Sequence, residues 1–175
     1  MECQPWQIAV VQGAKSTIVQ QLFREFVARN RAEIRIVGLI ESSGDAAAPC
    51  SAGHLHSIAN DQSFPLFQEL GKDSAACALD ATGVIKATQA VCADIASGCD
   101  LVVLSKFGKL EAESRSGLIP AFIAAMEAGI PILTSVSPKY ADAWERFAAP
   151  LFGLLSAEAD AIDHWWKTIS VGSNT

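Results

Sequence analysis

Apolar residues recur along this chain in two rhythms, short runs and helical spacings, and the two alternate. The densest run, Leu101-Val102-Val103-Leu104, is valine-rich, with Asp100 before it and Lys106 and Gly108 after it. A run that short fits a buried strand of a parallel sheet better than a helix. Trp6 to Val11 reads as the first strand, Ile34 to Ile40 as the second, and Ile130 to Val136 as the last clear one. Between the first two, Val19, Leu22, Phe23, Phe26 and Val27 fall on one face of a helix over Ile18 to about Asn30. A second helix is expected from Ala81 to Ser97, capped by Asp80 and ended by Gly98. A third should begin at Ser114 or Ser116 and stop at Gly129. Tyr140–Ala148 and Ala157–Thr168 read as two more.

The stretch from Glu41 to Ser51 is small, polar and broken by Gly44 and Pro49, which marks a loop. Gly53–Ala59 and Phe64–Leu70 flank the turn pair Asn60-Asp61 and read as a β-hairpin inserted over about residues 53–70. Pro65 should then sit on a sheet edge. Gly71–Ala78 reads as a further loop, and Ser170–Thr175 as a frayed tail. The alternation implies an α/β fold: three layers, a mainly parallel sheet with helices on both faces, and the hairpin as an insertion. The opening strand–helix–strand unit should cross over right-handed.

With 175 residues, half of them apolar, the chain suits a single domain over residues 1–175 with a real core. The formal net charge of −6 offers no electrostatic footprint for nucleic acid or an anionic membrane. No apolar run approaches the ~18–20 residues of a membrane span, so no membrane insertion is expected. The first residues, MECQPWQIAVV, lack the pattern of a signal peptide. Five irregularly spaced cysteines without a CxxC suggest free thiols and a cytoplasmic location.

Two strand-end segments carry the candidate chemistry. The first is Gly13-Ala14-Lys15-Ser16-Thr17, between the first strand and its helix. A phosphate loop of the form GxxxxGK[ST] uses glycines so that backbone N–H groups can curl around an anion. Its lysine adds charge and its hydroxyl holds magnesium. Lys15-Ser16 fits, but the two glycine positions hold Ala9 and Ala14, and Ala9 lies inside the strand. The turn is therefore too short for a triphosphate. The helix N-terminus can still receive one oxyanion, or it is simply a tight βα turn.

The second segment is Ser105-Lys106-Phe107-Gly108-Lys109-Leu110-Glu111, at the carboxyl end of the central strand, where open α/β sheets bind ligands. Nucleotide hydrolases place a magnesium-holding acid at such a strand end. Ser105 and Lys106 stand there instead, which favours an anion over a metal. Glu111 is the candidate catalytic base. Lys109 with Glu113, and Glu111 with Arg115, have the i,i+4 spacing of helix-surface ion pairs worth about 0.3–0.5 kcal/mol each.

Cys50, His54, His56 and Cys77 bring thiol and imidazole into one region, the chemistry of zinc. Their spacing matches no standard zinc motif, so no metal site is assigned, and polar cover on the hairpin is the simpler account. Trp144, Phe147, Phe152, Trp165 and Trp166 read as core and sheet-edge cover.

The segments Cys77-Ala-Leu-Asp80, Asp100 to Glu111 (DLVVLSKFGKLE), Gly129 to Thr134 (GIPILT) and Trp165-Trp166 together resemble a bacterial family of unknown function. That family is typically encoded beside molybdate-uptake genes and is sometimes labelled a molybdate-associated nucleoside-triphosphatase. It usually carries asparagine where this chain has Ser105, and glycine where it has Ser114. A wider likeness is to P-loop nucleoside-triphosphatases of the cancer-related, THEP-like type, which have a hairpin after the second strand and a motif DExGxxE. On this chain the motif's glycine falls on Gly108 and its last glutamate on Glu111, while its first two acids fall on Ser105 and Lys106. The resemblance thus implies a P-loop NTPase-like architecture with its hydrolytic residues degraded.

Three functions follow as expectations. The first is a binding or regulatory protein of molybdenum metabolism, holding a small anionic ligand with Gly13, Lys15, Ser16, Thr17, Ser105, Lys106 and Lys109. The ligand would be a nucleotide with magnesium or an oxyanion such as molybdate. The alternative is an active nucleoside-triphosphate hydrolase, with Glu111 orienting water. The third is a non-catalytic scaffold, a homodimer formed through the aromatic C-terminus.

Overall fold

Strand order is what places the ends of the chain's apolar runs. The computed structural model describes residues 6–43, 53–69, 77–79 and 81–172. In chain order these form β1 (Ile8–Gln12), α1 (Ser16–Asn30), β2 (Ile36–Ser43), β3 (Gly53–Ser57), β4 (Ser63–Pro65), β5 (Phe67–Glu69) and β6 (Cys77–Leu79). Then follow α2 (Ala81–Ala96), β7 (Leu101–Phe107), α3 (Lys109–Ser114), α4 (Ile119–Glu127) and β8 (Ile132–Val136). After a 3₁₀ turn at Pro138–Tyr140 come α5 (Ala141–Ala148), β9 (Phe152–Ser156) and α6 (Ala159–Gly172).

The main sheet has seven strands in the order β4-β3-β2-β7-β8-β1-β9. β2, β7, β8, β1 and β9 run parallel, while β3 and β4 continue the sheet antiparallel. This is the α/β, three-layer, mainly parallel fold with an inserted hairpin. Pro65 lies on the edge strand β4, where its missing N–H costs no ladder bond.

Period-two alternation splits each central strand between two cores. Ile8, Val10, Val37, Leu39, Val102 and Leu104 face α2, α4 and α5. Ala9, Val11, Ile36, Ile40, Leu101 and Val103 face α1 and α6. A strand buried on both faces needs a continuous apolar run, and Leu101 to Leu104 are completely buried. On the first face Phe107, Phe122, Trp144 and Phe147 form a cluster with ring centroids 5.2–6.2 Å apart. On the second, Trp165 is buried and donates Nε1–H to the Trp6 carbonyl at 2.9 Å. Trp144 and Trp165 are therefore core residues.

Several expectations need correction. No element is expected between the helices Tyr140–Ala148 and Ala157–Thr168, yet β9 lies there and pairs with β1 from Ile8↔Phe152 to Gln12↔Ser156. As an edge strand it buries only Gly153, against the Trp6 ring, so its apolar signal is weak. The 71–78 region was expected as loop, but Cys77–Leu79 pairs with Phe67–Glu69 as a separate two-stranded ribbon. β7 runs through Phe107, so Ser105 and Lys106 belong to the strand. Lys109–Ser114 is a helix of its own before α4. The Ser170–Thr175 tail is helical through Gly172. The Asp80 cap lies outside the described residues.

Gly38 shows how tightly the central ladder is set. It holds φ +133°, and a Cβ there would overlap the Val103 carbonyl on the paired strand. Gly38→Ala is expected to destabilise by about 3 kcal/mol or more, from backbone strain and overpacking together. Denaturant unfolding should register this as a lower midpoint with an unchanged slope.

Candidate functional site

The two sequence-predicted segments lie at the same rim, the carboxyl ends of the parallel strands, but they are separated by β8. Two strand spacings put β1 and β7 about 10 Å apart. Gly13 takes φ +94°, which turns the chain from β1 into α1 within Gly13–Lys15. Lys15 occupies the cap position of α1 and no side chain caps that helix. Lys15, Ser16 and Thr17 are exposed. Gly13 lines a hollow of about 660 Å³ with Val136, Pro138, Trp144 and Leu154.

Ser105, Lys106, Lys109 and Glu111 line a second hollow of about 240 Å³, with Glu41, Ser137 and Tyr140. The end of β8 and the turn after it, Val136 to Pro138, contribute to the walls of both. The two segments thus face a common rim from separate hollows.

Local backbone geometry explains the second hollow. Leu104 pairs with Thr134, but Phe107 pairs with Val136, so β7 carries one residue more than β8 in this step. Such a bulge re-aims side chains and frees main-chain groups from the ladder. The Ser105 carbonyl accepts from Gln20 Nε2 at 2.9 Å and from Ser135 Oγ at 2.8 Å. Gln20 also accepts from the Glu41 N–H through Oε1 at 2.9 Å, and Arg24 Nη2 donates to the Glu41 carbonyl at 2.8 Å. The first turns of α1 therefore fasten the ends of both β7 and β2. Lys106 pairs with Glu41 Oε2 at 3.1 Å. Lys15 and Lys109 have no ion-pair partner among the described residues.

Glu111, the candidate base, has both carboxylate oxygens on backbone amides. Its Oε2 accepts from the Gly108 N–H and its Oε1 from the Leu118 N–H, both at 2.9 Å. It closes a capping box on α3 and pins the turn into α4. Only 7% of the residue is exposed. The expected surface pairs are also replaced. Arg115 leaves the helix with φ 48°, and Glu113 accepts from the Tyr140 hydroxyl at 2.9 Å. That bond to a carboxylate, more than any burial, raises the Tyr140 pKa.

At the hairpin, His54 and His56 share one face of β3. His56 contacts Ser42 Oγ through Nε2 at 2.7 Å and Ser63 Oγ through Nδ1 at 2.6 Å, so both ring nitrogens are engaged. Cys50 and the Cys77 side chain lie outside the described residues. Among the described residues no group of three His, Cys, Asp or Glu could hold a metal ion. Also among them, no helix is long and apolar enough to cross a membrane.

Sequence reasoning missed Gln20, Glu41 and Tyr140. Gln20 carried a usable signal: it is a polar residue beside Val19 on the otherwise apolar, buried face of α1.

The fold is shared with known structures. Solved structures with the same architecture include a human cancer-related nucleoside triphosphatase in solution (TM-score 0.57, 10% identity, 95% of each chain). Another is the crystal structure of THEP1 from the hyperthermophile Aquifex aeolicus (TM-score 0.54, 9% identity, 94% of this chain and 96% of that one). The fold is that of P-loop nucleoside-triphosphatases. Residues 8–165 match the family described as "Protein of unknown function (DUF2478)", and the chain belongs to that family. It is also 36% identical over 141 residues to "Molybdenum import ATP-binding protein ModC 2" of Bradyrhizobium diazoefficiens. That match covers 80% of this chain and 16% of the relative's length.

Glu111→Gln should cost about 2–4 kcal/mol, because the amide can accept only one of the two backbone N–H bonds and leaves the other donor unmet. The loss should appear in denaturant unfolding with or without added ligand. For His56, burial first, then His54 and Arg24, lower the pKa from its usual 6.5. The unfolded chain therefore binds the proton more readily. Stability from this site is present above about pH 6.5 and falls as pH drops towards the lowered folded value. Unfolding midpoints between pH 7.5 and pH 5 should fall more steeply for the wild type than for His56→Gln.

Proposed function

We propose that this chain is a binding or regulatory protein on a degenerate nucleoside-triphosphatase fold, taking a phosphate-like oxyanion or a nucleotide at the carboxyl rim. Lys15 supplies uncommitted positive charge at the end of β1, and Lys109 does so beyond β7, near Lys106. Gly13, Ser16 and Thr17 offer N–H and hydroxyl donors at the start of α1, and Ser105 anchors the strand end behind them. The observation that carries this reading is the end of β7. Where a hydrolase of this fold needs a magnesium-holding acid, Ser105 is buried and Lys106 is paired to Glu41. The brevity of the Gly13–Lys15 turn supports the same reading, because it leaves few N–H groups to surround a triphosphate.

Against the hydrolase alternative stands the commitment of both Glu111 oxygens to backbone amides. A link to molybdenum metabolism rests on the name of the Bradyrhizobium relative, which makes molybdate a probe worth including.

Calorimetric titration with ATP, GTP, molybdate and sulfate should give saturable heat with at least one of them. Lys15→Ala or Lys109→Ala should weaken that binding about tenfold or more, the worth of a charge-assisted contact. Absence of heat from all four, with the protein folded, defeats the proposal. Phosphate release with magnesium that is fast in the wild type and lost in Lys15→Ala would instead establish the hydrolase.

A further inference from the structure

Away from the rim, α3, α4 and α5 enclose a hollow of about 400 Å³. Its apolar lining comes from Phe107, Phe147, Ile119 and Ile123, and it also carries Arg115 and Arg146. Phe107 is buried, whereas Ile123 is 42% exposed, large for an aliphatic side chain. Both arginines are exposed, and neither has a carboxylate partner among the described residues, in a chain of net charge −6. Glu111 also reaches this wall, but its oxygens accept from the Gly108 and Leu118 amides.

Arg115 is held in the left-handed region, φ 48° and ψ 39°, as the cap of α3. Glycine or asparagine is the usual residue there, because a larger side chain strains the backbone. The chain thus carries an arginine at a position where glycine would fold more easily.

The volume lies within the ~300–1,000 Å³ of small-molecule sites. Two guanidinium groups beside an aromatic and aliphatic lining complement an anion joined to an apolar body. The planar fork of arginine matches a carboxylate in particular. A bare inorganic anion would leave the apolar lining uncovered, and a neutral apolar molecule would leave the guanidinium groups unpaired. We propose that this hollow binds a small acyl or aryl carboxylic acid. Its carboxylate pairs with Arg115 and Arg146, and its body packs on Phe107, Phe147, Ile119 and Ile123. The site is separate from the rim and does not depend on a ligand there.

Octanoate and phenylacetate serve as probes, with octanamide and phenylacetamide as neutral counterparts and inorganic phosphate as the bare anion. Trp144 lies 5.2 Å from Phe107 and 5.9 Å from Phe147, so tryptophan fluorescence can follow the titrations alongside calorimetry. The expected result is saturable binding of both acids, about tenfold or more weaker binding of the amides, and no competition by phosphate. Arg146→Gln should weaken acid binding by a similar factor. Arg115→Gly should do the same while leaving the melting temperature unchanged or raising it by about 2–4 °C, since the strain is relieved. Equal affinity for acids and amides, displacement by phosphate, undiminished binding in both variants, or no saturation at millimolar probe would each overturn the assignment.

Discussion

The Ser105 carbonyl is the point on which the working end of this fold depends. It is buried just past the point where the pairing of β2 with β7 ends, at Leu39↔Leu104. An unmet buried carbonyl costs roughly 1–3 kcal/mol, so partners must come from elsewhere. Gln20 reaches it from α1 and Ser135 from β8. Gln20 simultaneously holds the end of β2 through the Glu41 amide. Gln20 and Ser135 thus tie α1, β2 and β8 to the end of the central strand.

The same economy of backbone partners governs the next turn. Glu111 spends its carboxylate on two amides, one at each end of the segment from Gly108 to Leu118. Gly117, at φ +63°, leaves room for that carboxylate, and a Cβ there would collide with Oε1. A side chain so enclosed suits fastening better than proton transfer. The rim is left with lysines and hydroxyls, whose charge and donors face outward. The chain has the layer order of the two solved nucleoside-triphosphatase structures it resembles. In place of acid at the end of β7 it has an ion pair contributed across two strands.

Much of the architecture was legible along the chain. The continuous run Leu101–Leu104 announced a strand buried on both faces. The helical spacing of Val19, Phe23, Phe26 and Val27 announced the helix that covers it. The hairpin and the edge position of Pro65 followed from turn residues and from proline's missing donor. β9 was not legible, because an edge strand packed by a glycine and exposing Leu154 carries little of the alternation that marks a half-buried strand. Among the candidate site residues, the rim position of Gly13, Lys15, Lys106 and Lys109 was legible as strand-end chemistry. The fate of Glu111 and the role of Gln20 were not.

Sequence by itself determined most of the strands and helices and which of their faces are apolar, since burial and backbone hydrogen bonding act locally and periodically on every residue. It also determined that no acid stands at the end of the central strand. Only the tertiary structure decided which side chains meet. The bulge in β7 and the insertion of β8 between β1 and β7 involve residues distant along the chain. Glu111 reaches backbone amides only three and seven residues away, but those long-range contacts divided the rim into two hollows. They also set Arg115 and Arg146 around one hollow, because packing and the demand of buried polar groups for partners are satisfied across the fold rather than along it.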